Sequence, residues 1–140
     1  MHKEAGGGKT DYDKITVVER APTTEEVREA GKSTGSTILD KHSDSDISNI
    51  VSGNKATSLP NDTIYTTDPT DTALTAHEIE HQSQYQNGDK KEVFETLVTE
   101  ALDYASGNYD PYLTEGKLEY KAQQVQERAN KILESRSMTW

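Results

Sequence analysis

An α+β domain is predicted by the order of elements: short β-branched runs come first, capped helical stretches follow, and no segment repeats. A length of 140 residues supplies chain for one domain. Only 31% of residues are apolar and the mean hydropathy is −0.91, so the core is small for the chain.

Met1-His2-Lys3-Glu4-Ala5-Gly6-Gly7-Gly8 opens a polar, Gly-rich lead-in expected to be flexible over 1–13, with His2 in solvent. Lys14-Ile15-Thr16-Val17-Val18-Glu19 reads as a strand. Thr23 caps a short helix with early acids, and Gly31 closes it. Residues 32–60 carry the weakest signal: Thr37-Ile38-Leu39 suggests a strand, Asp46 to Val51 one or two helical turns, and His42 lies in a polar loop. Thr63-Ile64-Tyr65-Thr66-Thr67, bounded by Pro60-Asn61-Asp62 and Asp68-Pro69, is a second strand.

Asp71 or Thr72 can cap a helix through Leu74, His77, Ile79 and His81 to about Gln86, where Asn87-Gly88 ends it. Asp89 starts another, with Val93, Phe94, Leu97, Val98 and Leu102 as its core stripe. Ser106-Gly107-Asn108 breaks that helix, and Asp110-Pro111-Tyr112 turns. Thr114 can cap a last helix in which Leu118, Val125, Ala129 and Ile132 face the core. The expected organisation is therefore a lead-in over 1–13, a domain over 14–136 and a tail over 137–140.

The balance of 25 acids against 15 bases gives a net charge of −10 and a pI near 4.8. Nucleic acid and anionic lipid both call for a basic surface, so neither is an expected partner. No apolar run approaches the roughly 20 residues that span a bilayer. With zero cysteines, disulfides, thiolate metal sites and cysteine nucleophiles are all excluded. The start carries no apolar segment like that of a signal peptide. Location stays open between an intracellular protein and a domain cut from a longer exported chain.

His77-Glu78-Ile79-Glu80-His81 places H-E-x-x-H inside the predicted helix. Histidines four apart stand one turn above another, so both imidazoles can reach one metal ion from a rigid element. Nitrogen ligands suit zinc, and a catalytic zinc takes three protein ligands and keeps a position for water. Glu78, beside the pair, can take that water's proton. Gln82-Ser83-Gln84-Tyr85-Gln86 follows His81, so no third histidine stands at metzincin spacing. The third ligand is then a carboxylate, with Glu100 and Glu119 as candidates. Tyr85, Tyr112 and Tyr120 are the tyrosines nearest these groups in sequence, and none is assigned a catalytic role.

Leu74-Thr75-Ala76-His77-Glu78-Ile79-Glu80-His81-Gln82-Ser83-Gln84, preceded by the strand at Thr63, resembles the short zincin-like domains of bacterial polymorphic-toxin and Rhs-type proteins. Asp110-Pro111-Tyr112-Leu113-Thr114-Glu115-Gly116-Lys117-Leu118-Glu119-Tyr120-Lys121-Ala122-Gln123 resembles their N-P-Y-x-T-P-G-x-L-E-Y-x-A-Q element. It is also similar to the E-Y-x-A-D segment of prenyl-protein (CAAX) peptidases. The likeness covers 60–130 well and 15–30 weakly. It implies a minimal zincin-like fold, with a small sheet on the active-site helix and two further helices. It also implies Glu119 as third ligand, with Ala122 letting its helix come close, and Glu78 as general base. The Asp of the CAAX pattern is Gln123 here, leaving Glu100 or Asp103 to support a ligating histidine.

The expected function is that of a gluzincin-like zinc peptidase acting on a protein or peptide substrate. The resemblance implies a toxin or effector role, with a possible immunity or inhibitor protein as partner. The alternative is an inactive zincin-like binding or structural module, with or without a stabilising metal.

Overall fold

A computed structural model describes residues 1–137, and the fold is α+β. Its elements are β1 (Thr16–Val18), α1 (Thr24–Ser33), α2 (Asp44–Ser52), β2 (Ala56–Leu59), β3 (Thr63–Thr66), α3 (Thr72–Asn87), α4 (Lys90–Ser106) and α5 (Leu118–Ser137). Of the tail expected over 137–140, Ser137 ends α5 and the rest lies outside the described residues. Among the described residues no helix is long and apolar enough to cross a membrane.

The sheet has the order β1-β3-β2. β1 runs parallel to β3, with Val17 opposite Ile64, and β2 runs antiparallel to β3, with Ser58 opposite Ile64. The β2–β3 turn takes Asp62 through a positive φ of 62°, a conformation that Asp tolerates better than most residues. β2 was not expected from the sequence, because Ala56-Thr57-Ser58-Leu59 lacks the β-branched density that marks a strand. Its pairing with β3 supplies what its propensity does not.

Local chemistry sets the helix starts. Thr23 and Glu26 form a reciprocal capping box on α1, while Ser43, Asp71 and Asp89 cap α2, α3 and α4 with their side chains. Glu26 also takes a paired contact from Arg20 and the hydroxyl of Tyr65, so the cap ties α1 to the sheet. Thr37-Ile38-Leu39 is not a strand. Ile38–Lys41 forms a 3-10 turn that buries Leu39, and Arg28 holds it by donating to the carbonyls of Leu39 and His42.

Two apolar clusters result. The larger gathers Val27, Leu39, Ile47, Val51, Leu59, Tyr65, Tyr85 and Phe94 between α1, α2, the sheet, α3 and α4. Phe94 of the α4 stripe is buried, and Val93, Leu97 and Val98 pack partly buried against this cluster. The smaller cluster is mostly alanine: Ala5, Ala73, Ala76, Val125 and Ala129. Together with fully buried Ala122, these small side chains let α5 lie close along α3.

Residues 1–13 are not a free lead-in. Met1 to Gly6 form a turn that buries His2 and Ala5 against the back of α3. The His2 ring, 2% exposed, was expected in solvent. It sits 2.9 Å from Glu80 Oε1 through Nε2 and 2.8 Å from the Tyr12 hydroxyl through Nδ1. Its partner Glu80 lies on α3, and nothing in the Gly-rich sequence announces a contact over that separation.

Candidate metal centre

α3 is buried on nearly all sides, yet His77, Glu78, Glu80, His81, Gln82 and Ser83 are all at or below 5% exposure. Buried polar groups persist when they find partners, and most of these can be traced. Gln82 Nε2 donates to the carbonyls of Leu59 and Thr63, pinning α3 to the β2–β3 turn. Ser58 Oγ donates to the Glu78 carbonyl, and Ser83 Oγ to that of Lys9. Glu80 accepts from the Gly8 amide and faces His2. The exceptions are Gln82 Oε1 and His77 Nδ1, which are buried with no hydrogen-bond partner among the described residues.

His77 and His81 turn their rings to the same side of α3, with centroids 5.0 Å apart at 73°. Glu119, in the first turn of α5, brings one carboxylate oxygen between them. Oε1 lies 3.0 Å from His77 Nε2 and 2.5 Å from His81 Nε2. One candidate ligand atom from each of the three residues falls within 4.8 Å of the others. Two imidazole nitrogens and a carboxylate oxygen are a zinc donor set, and three protein ligands leave a fourth position open.

The protonation chemistry is strongly coupled. Burial alone lowers the His81 pKa, but the Glu119 carboxylate overrides it and holds the ring up at about 10. Burial raises Glu119, and His81 with His77 overrides that in turn, keeping its carboxyl well below the usual carboxylate range. His81 pairs with Glu119 and His77 contacts the same carboxylate oxygen, so the three side chains converge. A cation bound there would take the place of the His81 proton.

Gln84, one turn beyond His81, orients the site. Its Oε1 lies 2.8 Å from His81 Nδ1 and accepts the proton there, which turns Nε2 toward Glu119, where Nε2–H donates to the carboxylate. Its Nε2 donates to the Leu118 carbonyl at the start of α5. Gln84 was missed as a functional residue; its position three residues after His81 on one helix face was the available signal.

Glu100 does not join the His77–His81–Glu119 cluster. It is 1% exposed, and its carboxylate accepts from the backbone amides of Leu118 (3.2 Å) and Glu119 (2.9 Å). Burial raises its pKa, and those two amides partly counter the rise. It caps α5 from α4 and so fixes the backbone of Glu119, rather than supporting a histidine ring. Asp103, the other residue considered for that support, accepts from Asn108 at the end of α4. The expected Thr114 cap is also replaced: Thr114 Oγ1 donates to the Asp110 carbonyl, and Gly116 at φ 89° interrupts any helix from there.

Glu78 lies beside the cluster, with Oε2 3.9 Å from His77 Nε2. Tyr112 is brought in by the Asp110 turn, whose carboxylate accepts from the Tyr112 amide. Its ring is 6.0 Å from that of His77 and 5.4 Å from that of Tyr104. Burial raises the Tyr112 hydroxyl pKa, and the nearby Glu119 and Glu78 carboxylates raise it further, so it stays a proton donor. Tyr85 is buried in the larger cluster, and Tyr120 does not line the cavity beside the centre.

No family model matches the chain, and neither does any curated protein or solved structure.

Proposed function

We propose that the protein is a zinc-dependent peptidase of the H-E-x-x-H plus Glu kind. One observation carries this reading: His77, His81 and Glu119 converge from two helices, and Glu78 and Tyr112 border the same cavity. His77, His81 and Glu119 would hold the ion. Bound there, zinc supplies Lewis acidity toward a peptide carbonyl and makes water more acidic near neutral pH. Glu78 takes a proton from the attacking water and passes it to the amide nitrogen as the C–N bond breaks. The Tyr112 hydroxyl donates to the oxygen that gains charge on the former carbonyl. The resemblance to toxin-associated domains supports an effector acting on a protein target, for which an inhibitor or immunity protein is a natural partner.

A non-catalytic module stapled by the ion is the second reading, supported by the small apolar share of the chain, 31%, for which a bound metal would compensate. Glu78 separates the two. Zinc content, melting temperature and hydrolysis of a quenched-fluorescent peptide library are measured for wild type and Glu78→Gln. The peptidase reading expects equal zinc and similar melting, with turnover reduced about 10²–10⁴-fold in the variant. Stoichiometric zinc without turnover in wild type supports the stapled module. Protein that carries no zinc, and whose melting added zinc leaves unmoved, overturns both.

A further inference from the structure

Gly6-Gly7-Gly8 and the buried His2 take no part in the candidate centre, but they pack on the helices that build it. The glycine run is a close approach rather than a loose linker. A side chain on Gly7 would run into the His2 ring, and a Cβ on Gly8 would stand 2.6 Å from Ser83 Oγ. Drawn in this far, residues 1–9 bridge α3 and α5. On α3, Glu80 faces the His2 ring and accepts from the Gly8 amide at 2.8 Å, while the Lys9 carbonyl accepts from Ser83 Oγ and Asn87 Nδ2. On α5, Lys121 Nζ donates to the Gly6 carbonyl at 3.1 Å, and Arg136 pairs with Glu4. Ala5 sits between the two helices, in the cluster that joins Ala73 and Ala76 of α3 to Val125 and Ala129 of α5.

We propose that residues 1–9 are a strap coupled to the metal: its docking tightens zinc binding, and zinc tightens its docking. The proposal rests on the metal centre of the reading above and needs no catalysis. Strap and ion tie the same two helices. His77 and His81 come from α3 and Glu119 from α5, so an ion held by all three fixes the pair. The strap is attached close to those ligands, since Glu80 adjoins His81 and Lys121 is two residues past Glu119. Whichever tie forms first has ordered the helices for the second, which then costs less freedom. Release of the strap is itself costly. Glu80 is 4% exposed, and its carboxylate would lose the His2 ring and the Gly8 amide together. Coupling of this kind is reciprocal: zinc holds the strap by the factor with which the strap raises zinc affinity.

The full chain is cut with trypsin under native conditions, with and without saturating zinc, and the fragments are quantified by mass spectrometry. Cutting after Lys9 requires its carbonyl to leave Ser83 and Asn87. Exposed Lys32 in the last turn of α1 is the reference site, and the ratio of the two cancels any effect of zinc on the protease. Zinc is expected to slow cutting after Lys9 by about 5–50-fold relative to Lys32. Gly7→Val expels His2 and is expected to weaken zinc binding, read by chelator competition, by a similar factor. Thr23→Ala removes the α1 capping box and leaves the strap intact, so its zinc affinity is expected within about twofold of wild type. Protection at Lys9 below about twofold overturns the coupling, whether or not Gly7→Val folds. So does a Gly7→Val protein that is cut rapidly after Lys9 yet binds zinc like wild type, or an equal loss of affinity in Thr23→Ala. Protection by zinc without peptide hydrolysis supports the strap and removes the peptidase reading. A wild-type chain that binds no zinc overturns both.

Discussion

Replacing Glu100 by Ala removes a carboxylate that touches no proposed substrate or ion but holds the start of α5. Two backbone donors lose their acceptor, the amides of Glu119 at 2.9 Å and Leu118 at 3.2 Å. With Glu100 only 1% exposed, water does not readily take its place. Each orphaned buried donor costs about 1–3 kcal/mol, and the longer contact belongs at the low end, giving about 3 kcal/mol together. For a domain of this size that corresponds to a melting temperature lower by about 10–15 °C. Because Glu119 rides on the same turn, zinc affinity should fall about 10–100-fold. Glu100→Gln keeps one acceptor oxygen and should lose roughly half as much stability. Thermal melts with and without zinc, and chelator competition, read both quantities. A Glu100→Ala protein that melts within about 3 °C of wild type and binds zinc within about twofold would refute the claim that α4 positions the proposed third ligand.

Tyr112→Phe should lower kcat by about 100-fold or more with zinc content unchanged, and a kcat within about threefold of wild type removes Tyr112 from the mechanism. His2→Ala should cost about 2–4 kcal/mol in chemical denaturation, since it strips the buried Glu80 carboxylate of its facing ring; an unchanged midpoint would show that the N-terminal turn contributes nothing. Glu26→Gln should cost about 1–2 kcal/mol at neutral pH through the cap and the Arg20 contact. Arg20, with the Thr23 amide, holds the Glu26 carboxyl below its ordinary 4.5 in the folded protein. Its contribution is therefore complete above that value and is lost as pH falls further. The stability gap between wild type and Glu26→Gln should narrow on acidification, and a gap that stays constant down to about pH 2.5 contradicts the assignment.

Much of what is written locally in the chain was legible, although Thr37-Ile38-Leu39 is a 3-10 turn and not a strand and Thr114 does not cap α5. Caps at Thr23 and Asp89 were read from residue type and spacing, Asp71 was one of two residues offered for α3, and the H-E-x-x-H turn needed only the helical repeat. Glu119 came from a resemblance, and the structure places its carboxylate between the two rings. What was not legible depends on partners distant in sequence. β2 exists because β3 pairs with it, and α5 starts at Leu118 because Glu100 reaches across from another helix. His2 is buried because Glu80, 78 residues on, faces it. A polar, Gly-rich segment reads as solvated until the polar helix it docks on is known. The six buried polar residues of α3 are that other half, and they blur the apolar stripe that would mark a core helix.

The N-terminal turn has a consequence for the order of events in folding. Gly6 accepts from Lys121, and Glu4 pairs with Arg136 near the end of α5. Residues 1–9 therefore cannot complete their contacts until α5 has formed and docked, however early they leave the ribosome. Lys3 and Lys9 are exposed trypsin sites within that stretch. Resistance to cutting there should appear late in refolding, so these two lysines serve as a clock for the closing step.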